Sequence, residues 1–318
     1  MARAAVGKMS WEGYALLSAW EANPAFVPTF IYGTAWKKDQ SADLVYQAIT
    51  AGFRAVDTAA QPKHYREDLV GEGIRRAIGD GVVRREDLYI QTKFTSVHGQ
   101  NPDNMPYNPK DSITDQVHAS VKSSLYNLRP SAAPESADEA YIDTLVLHSP
   151  LPTMAQTLEA WTALETYVPR VIRNLGISNT TLPILRELSS LAKVKPAVVQ
   201  NRFYGGTQFD VPLRAYCRER QLVYQSFWTL TANPELVRSE PVVSLSKEAG
   251  VSSAVALYGL VLGLAHTTIL NGTTKKAHME EDLAELKKLE QFSSENPKDW
   301  QSHLEDFQQL TGDHVYLQ

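Results

Sequence analysis

The chain has 318 residues, 43% of them hydrophobic and 21% charged. This is enough for one large α/β domain or two ordinary ones and argues against a disordered chain. A formal charge of −5, from 31 basic and 36 acidic side chains, argues against a nucleic-acid binder, which needs a basic face. The single cysteine, Cys217, excludes an internal disulfide and a cysteine-rich metal site.

The expected location is the cytosol. The sequence has no apolar run of about 18 residues, the length that a membrane-spanning helix needs. Residues 1–20 lack a sustained apolar core and contain an early acid, Glu12, which argues against a secretory signal and leaves a mitochondrial presequence as the weaker alternative. We expect no membrane association and no nucleic-acid partner, and the sequence leaves the oligomeric state open.

The first part of the chain predicts one strand and one helix. Residues 1–26 have the composition of an irregular or partly helical lead-in. Residues 30–32 then predict a short strand, which runs into a tight turn at 33–36. Residues 41–51 have helical spacing, and Gly52 is the expected stop.

Three apolar runs in the next part of the chain each end on an ionisable residue. Residues 53–56 end on Asp57, 88–92 on Lys93 and 144–147 on His148, and a segment with helical spacing, 68–78, separates the first two runs. A strand, a helix and a strand make a βαβ unit, whose strand ends lie at one edge of a parallel sheet. Three reactive side chains at strand ends are the arrangement expected of a (β/α)₈ barrel active site.

The rest of the chain repeats the alternation of strand and helix. Helices are predicted at 111–128, 154–167, 182–191, 211–220, 242–249, 252–264 and 276–289, and strands at 171–177, 196–199, 222–226 and 267–270. These strands are rich in Val, Ile, Leu and Tyr without polar alternation, which is typical of buried parallel strands. Two polar inserts, 97–109 and 129–139, are expected to be a pocket rim and a surface excursion.

These patterns predict the α/β class and a single domain. We expect a (β/α)₈ TIM barrel with long surface loops over about residues 28–289. The polar tail at 290–318, with a helix near 300–310, is expected to pack outside the barrel.

Seven strings occur in order along the chain: GTAWK, RAVDTA, Y-x-E-x-x-V-G, YIQTKF, YIDTLVLHSP, NLGISN and PAVVQNRFY. Their joint order and spacing resemble the aldo-keto reductase superfamily over roughly residues 28–285, and the insert from Gln61 to Tyr65 resembles a fungal branch of it. The resemblance implies a barrel enzyme that reduces an aldehyde or ketone to an alcohol by hydride transfer from a nicotinamide cofactor.

The resemblance also implies a catalytic tetrad of Asp57, Tyr65, Lys93 and His148. Tyr65 would be the general acid that protonates the developing alkoxide. Because a free phenol has a pKa of about 10, the ammonium of Lys93 would be needed to lower it. Asp57 would hold Lys93 charged and in place, and His148 would donate a hydrogen bond to the substrate carbonyl.

Each tetrad position has an alternative explanation. Asp57 and Lys93 also fit a structural ion pair, and an isolated histidine at a strand end is more often a core residue, although Ser-Pro follows His148 as in the family. Tyr65 lies eight residues after Asp57, farther than in most family members. The adjacent His64 is therefore a rival for the role of general acid.

The cofactor contacts implied by the resemblance lie at several strand ends. Ser178, Asn179 and Gln200 match residues that bind the nicotinamide carboxamide, and Phe227 matches the aromatic residue that stacks on the nicotinamide ring, with core filling as the alternative. The other positions at these strand ends are Gly33, Thr34, Ala35 and Asp57, and Trp228, Thr229 and Leu230 along the pyrophosphate. The sequence has no G-x-G-x-x-G after a strand, so a Rossmann site is not expected.

The eighth strand departs from the family pattern. Gly272 stands where a lysine is common, and His278 where an arginine grips the 2′-phosphate of NADP. The positions of this segment assigned to the cofactor are Asn271, Gly272, Thr273, Lys275, His278, Glu281 and Asp282. No guanidinium fork stands here to grip the 2′-phosphate, so NADP(H) is favoured by the resemblance alone and NAD(H) remains an option. Lys275 and Lys276 could bind phosphate, and the alternative is that both are solvated surface charges.

The substrate pocket is expected to be bounded by aromatic side chains. Its predicted residues are Trp36, Phe94, His148, Tyr204 and Trp228, and for Trp36 and Tyr204 core packing is the alternative. Few charges line it, which predicts a hydrophobic carbonyl substrate. No metal site is expected. Two other functions remain open, a cofactor-binding regulatory or scaffold protein with little turnover and a barrel lyase or isomerase that binds no nicotinamide.

Overall fold

A computed structural model describes residues 14–16 and 25–316 of the chain. Near its start, strands β1 (Tyr14–Leu16) and β2 (Ala25–Val27) pair antiparallel. The prediction of an irregular or partly helical lead-in was therefore wrong for these two segments, because pairing with a neighbouring strand supplies backbone partners that local spacing does not reveal. The remaining residues of the predicted lead-in lie outside the described ranges.

Eight parallel strands close into a barrel, as predicted. The strands are β3 (Phe30–Gly33), β4 (Ala55–Asp57), β5 (Tyr89–Phe94), β6 (Ile142–Leu147), β7 (Ile172–Ser178), β8 (Val198–Arg202), β9 (Val223–Phe227) and β10 (Thr267–Asn271). Each pairs with the next along the chain, and β10 pairs with β3 to close the ring. All carboxyl ends therefore meet at one face.

Helices surround the barrel and bury their apolar stripes against the outer face of the strands. They are α1 (Ser41–Ala51), α2 (Glu67–Gly79), α3 (Ile113–Asn127), α4 (Met154–Glu165), α5 (Leu182–Leu191), α6 (Val211–Glu219), α7 (Pro234–Val237), α8 (Glu240–Ala249), α9 (Ser253–Gly263), α10 (Lys276–Glu295) and α11 (Pro297–Thr311). The predicted end of α10 at residue 289 was wrong, because Phe292 still packs on the core beyond a polar stretch. Among the described residues, no helix has the length and apolar character needed to cross a bilayer.

The barrel interior changes from apolar to polar toward the carboxyl ends of the strands. Its amino-terminal end holds a small apolar cluster that includes Ala55, Tyr89, Val198 and Val223. Because side chains two residues apart on a strand share a face, the next inward positions are polar. They are Asp57, Gln91, Gln200 and Gln225, and all are buried.

The C-terminal helix α11 is held by a buried ion pair. Arg214 of α6 donates to both carboxylate oxygens of Asp313, just after α11, at 2.8 Å each, and both side chains are 1% exposed. Thr311 also donates to this carboxylate at 2.8 Å. The pair joins the end of the chain to the outer helical layer.

We expect Asp313→Asn to lower the free energy of unfolding by about 3–5 kcal/mol, because it leaves the Arg214 charge buried without its counter-charge. Chemical denaturation at pH 7 measures this change. The matched control is Asp43→Asn, whose partner Arg76 lies at 3.0 Å in an exposed pair and which should cost less than about 1 kcal/mol. Equal losses in the two variants would contradict the account.

Candidate active site

A buried ion pair lies at the carboxyl end of the barrel. Asp57 ends β4 and Lys93 stands in β5, and Lys93 Nζ lies 2.6 Å from Asp57 Oδ2. The same ammonium donates to the Thr58 carbonyl at 2.8 Å. Burial alone would lower the pKa of Lys93, but the charge and hydrogen bond of Asp57, with a smaller effect of Tyr65, raise it above the ordinary value. The ammonium is therefore the stable form.

Glutamine amides hold the other oxygen of Asp57. Gln91 and Gln200 donate to Asp57 Oδ1 at 2.7 and 3.0 Å, and Gln91 and Gln225 exchange hydrogen bonds across the barrel at 2.7 and 2.9 Å. Gln91 and Gln225 were not predicted from the sequence. The available signal was an amide side chain inside each of two predicted buried strands, since buried polar groups need partners.

Tyr65 lies over this ion pair. The Nζ of Lys93 is 4.9 Å from the centroid of the Tyr65 ring, and the ring of His148 packs edge-on to it at a centroid distance of 6.0 Å. The backbone N–H of Tyr65 donates to the Gln61 carbonyl at 3.0 Å, which closes a turn. This turn accommodates the long spacing from Asp57, so the structure brings together all four residues of the predicted tetrad.

The pKa of Tyr65 is shifted upward, whereas the sequence led us to expect a downward shift. Burial raises it, the charge of Lys93 opposes that rise only in part, and Asp57 adds to it, so the net pKa lies above the ordinary value. The charge of Lys93 thus acts in the expected direction, but the expected net lowering of the Tyr65 pKa was wrong, because burial disfavours the phenolate more strongly than Lys93 favours it.

His148 is neutral and oriented by a threonine. Its Nδ1 lies 2.6 Å from the Thr95 hydroxyl, and burial, together with the charges of Lys93 and His64, lowers its pKa to about 3. When the hydroxyl of Thr95 donates to Nδ1, the ring proton stands on Nε2. A neutral imidazole in this tautomer can donate a hydrogen bond to a carbonyl oxygen.

The low pKa of His148 predicts a pH dependence of stability. An unfolded histidine binds a proton below about pH 6.5, whereas the folded site resists it until about pH 3, so stability falls as the pH is lowered between these values. We expect the free energy of unfolding of the wild type to fall more between pH 7.5 and 5 than that of His148→Gln, as measured by urea denaturation. The exposed His98→Gln is the control and should follow the wild type, and parallel curves for all three proteins would contradict this account.

The rival acid, His64, faces another side chain. Its ring stacks on Trp36 at a centroid distance of 3.9 Å, and the Trp36 N–H donates to its carbonyl at 2.8 Å. Burial and the charge of Lys63 lower the pKa of His64. Tyr65, and not His64, is thus the ring that packs against both Lys93 and His148.

The predicted carboxamide-binding residues lie together beside His148. Asn179 donates to the His148 carbonyl at 2.9 Å, and the Ser178 hydroxyl donates to the Gln200 carbonyl at 2.6 Å. The amide nitrogen of Gln200 is committed to Asp57 Oδ1 and Gln225 Oε1. Only Oε1 of Gln200 can therefore face a ligand.

The segment after β9 presents two aromatic rings at the mouth. Phe227 is half-buried, and Trp228 is 49% exposed in a left-handed backbone conformation with φ 57°. The hydroxyl of Thr229 lies 2.5 Å from that of Ser226 in the interior, and Leu230 is half-buried against the core. The side chain of Thr229 is therefore occupied, and only its backbone could make the predicted contact with a pyrophosphate.

The turn after β3 closes the mouth beside Asp57. The Thr34 hydroxyl donates to the Asp57 carbonyl at 2.9 Å, so its side chain faces the protein, whereas Ala35 is half-buried. A Cβ on Gly33 would lie 3.3 Å from the Asn271 carbonyl oxygen, a close approach that explains the glycine.

The end of β10 lies next to this turn and accepts a hydrogen bond from a lysine that was not predicted from the sequence. Asn271 donates to Asp282 at 2.8 Å, and the buried Lys37 donates to the Gly272 carbonyl. Burial lowers the pKa of Lys37. Among the other residues of this segment that were assigned to the cofactor, Thr273 is half-buried, and Lys275, His278 and Glu281 are exposed. The signal for Lys37 was its position directly after Trp36 in the GTAWK string.

Of the residues predicted to bound the substrate pocket, Trp36, Tyr204 and Trp228 lie at the mouth of the barrel, whereas Phe94 does not. Trp36 is 58% exposed and Tyr204 is half-buried, both at the same face as Trp228. Phe94 is 1% exposed and packs in the outer core with Tyr107 at a centroid distance of 5.8 Å. Its assignment to the pocket was wrong, because Phe94 follows the inward-facing Lys93 on its strand and so points outward.

Comparisons with known proteins agree with this architecture. The sequence profile described as "Aldo/keto reductase family" matches residues 29–222. An uncharacterized oxidoreductase of Schizosaccharomyces pombe is 27% identical over 264 residues, which cover 82% of this chain and 83% of that protein. An NAD(P)H-dependent D-xylose reductase of Kluyveromyces lactis is 32% identical over 177 residues, but the match covers only 52% of each chain.

Solved structures support the fold. The crystal structure of a Bombyx mori aldo-keto reductase in complex with NADP has a TM-score of 0.65 and 22% identity, and the match covers 85% of this chain and 91% of that one. The profile match, which spans more than half of the sequence, shows that the chain belongs to the aldo/keto reductase family.

Proposed function

We propose that the protein is an NAD(P)H-dependent reductase that converts the carbonyl of an aldehyde or ketone to an alcohol, with Tyr65 as the general acid. The observation that carries this proposal is the packing of the Tyr65 ring against both Lys93 Nζ and the ring of His148, where Lys93 is paired with the buried Asp57. Two of the relatives named above support it, the NAD(P)H-dependent D-xylose reductase and the silkworm reductase with NADP.

The described residues fit a nicotinamide cofactor. The half-buried Phe227 offers a flat face for the ring, and the exposed Asn179 and Oε1 of Gln200 offer polar groups for its carboxamide. When bound, the cofactor supplies a hydride to the carbonyl carbon. NADPH is the favoured form by family membership, and the segment after β10 carries Lys275, Lys276 and His278 without an arginine, so NADH is tested beside it.

Residues of the chain would then orient the carbonyl group of the substrate and protonate its oxygen. His148 Nε2 donates a hydrogen bond that orients the carbonyl and stabilises charge developing on its oxygen. The Tyr65 hydroxyl transfers its proton to that oxygen as the C–O double bond becomes single, and the Lys93 ammonium stabilises the phenolate that remains. Asp57 keeps Lys93 in its charged form.

A fluorescence titration with NADPH and NADH, followed by a panel of aromatic aldehydes, tests the proposal. The account predicts binding of at least one nucleotide and its oxidation when an aldehyde is added. The alternative function, a cofactor-binding scaffold protein with little turnover, predicts binding without oxidation across the panel. Absence of binding by both nucleotides would contradict both functions.

A further inference from the structure

Arg202 stands directly above the polar layer of the barrel. It ends β8 two residues after Gln200, whose amide reaches Asp57 inside the barrel at 3.0 Å. Because side chains two apart on a strand share a face, Arg202 also faces inward, one layer nearer the mouth. Its register partner on β9 is Phe227, the proposed platform for the nicotinamide.

Two aromatic rings hold the guanidinium of Arg202. Its Cζ lies 4.2 Å from the centroid of the Trp228 ring and 5.1 Å from that of the Tyr204 ring. Stacking on flat rings fixes the plane of a guanidinium and leaves its N–H edge available for an acceptor. Trp228 and Tyr204 therefore orient Arg202 before any ligand binds.

Across the described residues, the Arg202 guanidinium has no hydrogen bond and no ion pair, and its Nε is shielded from solvent without an acceptor. Two other arginines that stack on a ring, Arg85 and Arg173, are neutralised by a carboxylate. Arg85 and Arg173 each lie over the Tyr141 ring, at 3.8 and 4.0 Å, and both bind Asp143. A buried donor is normally paired, so an oriented arginine without a carboxylate is expected to meet an acceptor from outside the chain.

We propose that Arg202 binds the oxyanion of a ligand at the barrel mouth, a carboxylate or a phosphate held by two parallel N–H donors. This deepens the proposed function, because two ligands of that reaction can supply such a group. One is an acidic carbonyl substrate, and the other is the diphosphate of the dinucleotide. Arg202 was not among the residues predicted from the sequence, since its orientation depends on the rings of Trp228 and Tyr204.

The test compares Arg202→Gln and Arg202→Lys with the wild type. The matched control is Arg186→Gln, an exposed arginine of α5 that lies over the Tyr216 ring at 5.5 Å, outside the barrel. One arm measures the Kd of NADPH. The second measures KM for 4-carboxybenzaldehyde and 4-methylbenzaldehyde at saturating NADPH. The third measures binding of benzoate and inorganic pyrophosphate to the protein alone by calorimetry.

A substrate carboxylate predicts that Arg202→Gln raises KM for 4-carboxybenzaldehyde by about 10–100-fold without changing that for 4-methylbenzaldehyde, the loss expected for a charge-assisted pair. The cofactor diphosphate predicts a rise of the same size in the Kd of NADPH. Arg202→Lys should lose less than Arg202→Gln in either case, because it keeps the charge but not the fork.

Values for Arg202→Gln within about twofold of the control in every arm would overturn the inference, since a charge-assisted bond is worth more. The calorimetric arm needs no turnover and therefore separates the inference from the proposed function. If the wild type reduces no aldehyde but binds benzoate or pyrophosphate through Arg202, the proposed function fails and the inference stands.

Discussion

Tyr65→Phe should lower kcat/KM for carbonyl reduction by about 10²–10⁴-fold, the usual contribution of a general acid, while the Kd of NADPH stays nearly unchanged. The substitution removes one hydroxyl and keeps the ring that packs against Lys93 and His148. Steady-state rates with one aldehyde and fluorescence titration with NADPH measure the two quantities. A loss of rate without a loss of affinity is the signature of a proton donor.

Two comparison variants sharpen this experiment. Tyr167→Phe removes a hydroxyl that lies 2.7 Å from His118 Nδ1 outside the barrel, and it should leave the rate unchanged. His64→Ala tests the neighbouring imidazole. An active Tyr65→Phe together with an inactive His64→Ala would assign the acid to His64 and overturn the role proposed for Tyr65.

Lys93→Met should lower the free energy of unfolding by about 3–5 kcal/mol, because it leaves the Asp57 carboxylate buried without its counter-charge. Asp57 is 2% exposed, so water cannot replace the ammonium. The double variant Asp57→Asn/Lys93→Met should lose less than the sum of the single variants, since it removes both charges. Urea denaturation of the four proteins measures the coupling, and strictly additive losses would contradict a tightly coupled pair.

The pH dependence of this pair follows from the raised pKa of Lys93. A group whose pKa is higher in the folded protein contributes its full stabilisation below the unfolded value, about 10.4, and loses it as the pH rises through the folded value. The destabilisation by Lys93→Met should therefore be constant from about pH 6 to 9 and shrink only in strongly alkaline solution.

The sequence was informative where local pattern and chain direction decide the structure. Asp57, Lys93 and His148 each follow an apolar run, and parallel strands place their carboxyl ends at one face, so their convergence could be predicted without coordinates. Tyr65 could be assigned only by resemblance. Its position depends on the turn that begins at Gln61, which a count of residues from Asp57 does not reveal.

Contacts across the barrel could not be predicted from local pattern. Gln91 and Gln225 meet because β5 and β9 lie on opposite sides of the closed sheet, which depends on the number of strands and their order. The outward direction of Phe94, by contrast, follows from the inward direction of Lys93 and the alternation along a strand. A position near a strand end therefore does not by itself place an aromatic side chain in the pocket.

The direction of the pKa of Tyr65 depends on a balance that a sequence does not contain. Proximity to Lys93 favours the phenolate, and burial disfavours it, and the larger effect is decided by how much solvent the surrounding loops exclude. Arg202 could not be predicted either, because it stacks on Trp228, whose left-handed backbone conformation after β9 is not visible in the sequence.

The most direct test of the account follows a label through the reaction. The protein is incubated with an aromatic aldehyde and NADPH carrying deuterium at both positions of nicotinamide C4, and the product alcohol is analysed by mass spectrometry. The account predicts one deuterium on the carbinol carbon for each nucleotide oxidised, with Tyr65→Phe strongly impaired. Alcohol without deuterium, or no alcohol while the nucleotide is bound, would contradict hydride transfer at this site.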